Sequence, residues 1–150
     1  MDITRKANYY KRRFNSPDGL TLYQLYEIAE DLDIIFHSGS FGEMKGAYYY
    51  IERTKHIILS NTLSEIEEAF VLSHELGHAI FHRTQTCFFN QRYAMAFKPR
   101  MEREADEFSA KILLPSQIPI DELSYYTLYQ LASLYNVPAE LMRIKLDLPK

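Results

Sequence analysis

The sequence predicts an α+β fold, and three observations carry that prediction. Strand-like stretches fall between residues 33 and 61, ahead of most of the helical ones. Three Ser/Thr-x-x-Glu/Gln pairs, Thr21 with Gln24, Ser64 with Glu67 and Thr127 with Gln130, have the form of capping boxes that start helices. Strands and helices do not alternate as a doubly wound parallel sheet would require.

Each element follows from local chemistry. Residues 1–19 read as a basic, polar N-terminal extension closed by the turn "NSPDG", where Pro17 presets φ and Gly19 accepts a positive one. The run 22–32 places Leu22, Leu25, Tyr26, Ile28, Ala29 and Leu32 at helical spacing. "DIIFHS" (33–38) is a short strand, and "HSGSFGEMKG" (37–46) is a glycine-punctuated loop. "AYYYIE" (47–52) and "HIILSN" (56–61) flank "RTK" at hairpin distance. In "YYY" the simplest expectation is alternate packing on the two faces of a strand. A helix starts near Ser64 and meets no breaker before Arg83. The stretch 84–98 is irregular and reads as a loop. Pro99 opens a helix that ends before Pro115, and 115–124 reads as a connector. Thr127 caps a helix to Tyr135, "NVP" turns the chain, and Pro138 opens a last helix to about Leu146.

Bulk properties narrow the classes. With 150 residues, one domain over 1–150 is expected, with a small helix-turn-helix-like tail at 121–150. The chain is 47% hydrophobic and 25% charged, a globular composition. A net charge of -3 argues against broad nucleic-acid binding, and Arg143 and Lys145 are too few to make the tail a DNA reader. One cysteine, Cys87, cannot form an internal disulfide or a multi-cysteine zinc site. With no secretory leader or membrane-length apolar run, a cytoplasmic chain is expected.

The chemistry concentrates in "AFVLSHELGHAIFH" (69–82). His74 and His78 are four apart, so on a helix their rings can converge on one ion. Zinc accepts two histidine nitrogens, needs a third protein ligand and keeps a fourth position for water. In HExxH the glutamate, here Glu75, takes a proton from that water rather than binding the metal. A bare match is weak. Its place inside a capped, apolar helix is the context this chemistry requires. His82 continues the face, but two turns separate it from His74, too far to share an ion. It reads as a rim group, a helix C-terminal cation or a structural residue. Cys87 reads as an ordinary free thiol that could also swing onto the metal.

The third ligand has to come from "RMEREADEFSAKILLP" (100–115). Glu102 and Asp106 lie one turn apart. Glu102 would bind zinc, while Asp106 would accept a hydrogen bond from the far nitrogen of a ligating histidine. Glu104 competes as ligand, but it points about 200° away from Glu102, so both cannot face one ion. The bland alternative is a solvated run of mixed charge.

"VLSHELGHAIFH" followed by "MEREADEFSAKILLP" resembles the ImmA/IrrE metallopeptidases, whose hallmark is HExxH, then E-x-x-A-[DN]-x-F-A and L-L-x-P. The likeness runs from about Leu20 and includes the tail "TLYQLASLYNVPAELMRIKL". It implies a minimal gluzincin fold, with a small sheet packed on the active-site helix. It implies one zinc per chain on His74, His78 and Glu102, Glu75 as general base and Asp106 as the outer acid. It also implies cleavage of a repressor or regulator, often one encoded in a phage or mobile element. Ser109 departs from the usual alanine, and no appended DNA-binding domain is evident. A substrate strand is expected to add along an edge strand such as 47–52. His82, Tyr93 and the tyrosines 48–50 are the candidates for stabilising the oxyanion. The competing reading from another class is a zinc-containing binding module that docks on a repressor, or less readily on DNA, without hydrolysis.

Overall fold

The computed structural model describes residues 2–85, the backbone of 87–88, and 99–149. Among these residues, seven helices and four strands follow in the order α1 (Ile3–Arg13), α2 (Leu22–Asp31), β1 (Ile35–Gly39), β2 (Gly46–Ile51), β3 (Thr54–Ser60), α3 (Glu65–Phe81), β4 (Cys87–Phe88), α4 (Pro99–Leu113), α5 (Ile120–Tyr125), α6 (Leu128–Leu134) and α7 (Ala139–Lys145). The α+β reading holds. All three capping boxes form, at the starts of α2, α3 and α6.

The sheet order is β1-β3-β2-β4. β1 runs parallel to β3, and β2 is antiparallel to both β3 and β4. The hairpin turn is tighter than "RTK" implied. Ile51 pairs with Thr54, leaving Glu52 and Arg53 as a two-residue turn, both at positive φ (51° and 64°). That is the backbone of a mirror-image hairpin turn, the kind whose twist matches the strands. The expectation that 47–52 is an exposed edge is corrected: Ala47 and Tyr48 have a partner strand on each side. Cys87 and Phe88, expected within a loop, supply that second partner. The three tyrosines alternate as expected. Tyr48 is fully buried and Tyr50 packs on the core, whereas Tyr49 stacks on His56 with ring centres 4.6 Å apart.

α3 lies against β2 and β3, and α4 packs on α3 in the most extensive helix contact. Residues 1–19 do more than their polar composition implied. Ile3, Ala7 and Tyr10 of α1 join the common core, and α1 packs on α4. Leu131, Ala132, Val137, Leu141 and Met142 of the tail join it too. Their periodicity is thus accounted for by packing. α5 forms inside the expected connector and buries none of its residues.

The C-terminal end of α4 is tied down by distant residues. The Leu20 amide donates to the Ile112 carbonyl at 2.9 Å, and the Lys11 ammonium donates to the Leu114 carbonyl at 2.5 Å. Such bonds satisfy carbonyls that a helix end leaves open, and the cation suits the negative end of the helix. Gly19 (φ 126°) makes the approach possible, because a Cβ there would lie 2.2 Å from the Leu113 carbonyl oxygen.

Burial pulls Lys11 down to about 8, helped by the charges of Lys145 and Lys111. The unfolded chain therefore holds a proton that the folded chain has released between about pH 8 and the ordinary lysine value. Folding stability contributed by this group rises with pH through that window and is lost as pH falls through 8. The denaturant midpoint of wild type should gain on that of Lys11→Met when pH is raised from 7.5 to 9.5. Parallel shifts would refute this.

Candidate metal centre

α3 buries His74, Glu75, Gly77 and His78 on the face turned to α4 and the sheet. Its first turn carries Glu65, Glu67 and Glu68, which suit the positive end of the helix. At Gly77 α4 packs closely on α3. A Cβ there would sit 3.1 Å from the Ala105 Cα and 3.4 Å from Phe108. This close crossing brings the acidic side chains of α4 within reach of the histidines. Gly77→Leu should therefore separate the helices and abolish metal binding while circular dichroism still reports helix. Full-strength zinc binding by that variant would show that the crossing does not set the site.

The residues picked from the sequence meet. His74 Nε2 lies 3.1 Å from Glu102 Oε2, and His78 Nε2 lies 2.9 Å from Glu102 Oε1. The second contact lacks hydrogen-bond geometry, so His78 Nε2 is buried with no hydrogen-bond partner. On the other side of its ring, His74 Nδ1 is 2.9 Å from Asp106 Oδ1. A carboxylate can only accept, so Nδ1 carries the hydrogen and donates it. One ligand atom from each of His74, His78 and Glu102 can be chosen so that all three lie within 4.8 Å of one another. Tetrahedral zinc with bonds of about 2.0–2.2 Å holds its ligand atoms about 3.4 Å apart. The Glu102–histidine spacings of 3.1 and 2.9 Å need only a slight opening to meet that. The donor set, two imidazoles and a carboxylate, is one zinc takes in open sites, and the three residues fit such an ion.

The electrostatics agree with a gap that a cation would fill. Burial works against a charge on His74, yet hydrogen bonds to Asp106 and Glu102 outweigh it and hold the ring up at about 10. Burial opposes ionisation of Glu102, but the hydrogen bond from His74 and the nearness of His78 win and keep it well below the usual carboxylate range. Glu75 is fully buried, neither carboxylate oxygen has a hydrogen-bond partner among the described residues, and desolvation raises it to about 8. Gly46, at the start of β2, gives it room: a Cβ there would lie 3.6 Å from the Glu75 Cγ and 2.5 Å from Val71.

Other sequence candidates land elsewhere. Glu104 turns to His82, with Oε2 2.8 Å from Nε2. His82 is buried, and its other nitrogen faces His78 Nδ1 at 2.8 Å. Neither of its ring nitrogens is left over to face an oxyanion. The sequence reading missed this contact, although the four-residue spacing of His78 and His82 repeats that of His74 and His78. The Tyr48 hydroxyl donates to the Arg83 carbonyl at 2.5 Å, and Tyr49 sits with His37 and His56 in a stack of rings. Tyr93 and the Cys87 side chain lie outside the described residues. Ser109, the departure from alanine, is fully buried and hydrogen-bonds across the helix pair to Ser73.

Residues 29–147 match the IrrE N-terminal-like domain family, peptidase family M78. A protein of Bacillus phage phi105 named "Uncharacterized immunity region protein 2" is 35% identical over 123 residues, spanning 80% of this chain and 77% of its own length. "Metallopeptidase ImmA" of Bacillus subtilis (strain 168) is 24% identical over 126 residues, spanning 82% of this chain and 75% of its own. The matched span contains both helices of the candidate centre and the whole sheet, and on that extent of likeness the chain belongs to the ImmA/IrrE family of metallopeptidases.

Proposed function

We propose that the protein is a zinc endopeptidase that acts in the cytoplasm and cuts a transcriptional repressor or regulator, relieving repression. One observation carries the peptidase reading: a buried, unpartnered carboxylate, Glu75, beside three converging metal donors. Burying such a group without a partner costs stability, so the fold keeps it against its own interest. The regulator as substrate is supported by the phage relative, whose name places it in an immunity region.

When bound by His74, His78 and Glu102, zinc supplies a Lewis acid for the scissile carbonyl and makes a coordinated water more acidic. Glu75 accepts the proton of the attacking water on its carboxylate. It then returns that proton to the leaving amine, so the two new ends form without a free hydroxide or a free amide anion. Among the described residues no hydrogen-bond donor occupies either carboxylate oxygen, which leaves both open to that proton. Asp106 holds the His74 ring in one orientation by taking its Nδ1 hydrogen.

The test is incubation of zinc-loaded protein with candidate repressors from the same genome, read by mass spectrometry of the fragments. A single defined cut, abolished by a chelator and restored by zinc, is expected. An intact repressor that nevertheless binds the protein would replace this reading with that of a non-hydrolytic docking module.

A further inference from the structure

We propose that His82 and Glu104 are positioning residues that fix the tautomer and the aim of His78, turning its Nε2 lone pair toward the metal. This deepens the zinc reading and rests on it.

The inference follows from the direction of two hydrogen bonds. Glu104 can only accept. Its Oε1 takes the Arg100 guanidinium at 3.0 Å, and its Oε2 faces His82 Nε2 at 2.8 Å. His82 Nε2 therefore carries a hydrogen and donates it. In the neutral ring the other nitrogen, Nδ1, is then an acceptor. It faces His78 Nδ1 at 2.8 Å, so His78 Nδ1 must be the donor. That leaves the lone pair of His78 on Nε2, the atom beside Glu102. With both rings neutral, this is the one placement of hydrogens that satisfies both contacts. His78 is fully buried and His82 is 7% exposed, so water cannot readily stand in for a lost partner.

The three acids of α4 then divide the work. Glu102 faces both Nε2 atoms. Asp106 takes the Nδ1 hydrogen of His74 directly. Glu104 points another way around α4 and reaches the second histidine through His82. Without His82, the His78 Nδ1–H would be buried with no acceptor. The ring would be free to carry its hydrogen on Nε2 instead, pointing at Glu102 and barring a cation.

His82 also ends α3, donating its backbone amide to the His78 carbonyl, and a purely structural role predicts something different. Zinc affinity would be measured against a competing chelator for wild type, His82→Asn, His82→Leu and Glu104→Ala. Asn keeps an acceptor close to the place of Nδ1, whereas Leu keeps volume alone. Leu should weaken zinc by about 10–100-fold and Glu104→Ala should weaken it in the same direction. Asn should stay within about threefold of wild type. Leu binding as tightly as wild type, or Asn and Leu weakened equally, overturns the proposal. Nitrogen-15 spectra of the metal-free protein give a readout independent of zinc. His78 should be the Nδ1–H tautomer in wild type and a mixture in His82→Leu, and a mixture in wild type overturns the proposal. Wild type that binds no zinc defeats the metallopeptidase reading, and the tautomer then decides this one separately.

Discussion

Glu75→Gln should lower peptide cleavage by about 10²–10⁴-fold, the range general-base catalysis commonly supplies, while zinc content stays at one per chain. The amide has the shape of the carboxylate but cannot take a proton from water. Both oxygens of Glu75 lack hydrogen-bond partners, so no hydrogen bond is broken by the exchange. Removing an ionisable group from so dry a place also spares the fold a cost, and the metal-free variant should melt no lower than wild type. Rate and stability thus move independently, which separates a reacting residue from a packing one. Cleavage at the wild-type rate would remove Glu75 from the mechanism. Loss of zinc in this variant would instead make it a ligand.

Glu102→Ala should abolish tight zinc binding, a loss exceeding the roughly 10–100-fold that a ligand's outer partner is worth. The substitution leaves His74 and His78 as the remaining members of the three-residue group. Two imidazoles from one helix do not complete an open zinc site, which takes three protein ligands. Elemental analysis of chelator-free protein gives the answer. Zinc retained in Glu102→Ala and lost in Glu104→Ala would move the third ligand by two residues. The distances argue for the first outcome, because Glu102 lies about 3 Å from both Nε2 atoms and Glu104 is turned to His82.

Much of this was legible in the chain, because it is local. A capping box lies within four residues, and Ser64, Glu67 and the apolar run behind them mark the start of α3 unambiguously. HExxH is a single-helix pattern, and His74, Glu75 and His78 share one face by geometry alone. The choice between Glu102 and Glu104 was narrowed by local periodicity but needed the rotation of α4 against α3, and that is tertiary. β4 and the interior place of β2 come from pairings across about 40 residues, which no window of sequence displays. α1 was missed for another reason. Its mean composition is polar, and only Ile3, Ala7 and Tyr10, spaced four and three apart, show the stripe that α4 covers.

The closure of α4 by Lys11 has a kinetic side. The two residues it joins, Lys11 and Leu114, are 103 apart in the chain. Contacts at such separation are entropically costly to bring together and tend to form slowly. On the ribosome α1 must wait, with its apolar stripe open, until α4 has been synthesised. His74 and His78 are made before Glu102, the third member of the candidate metal group. Completion of the three-residue group is therefore expected to wait for the synthesis of α4.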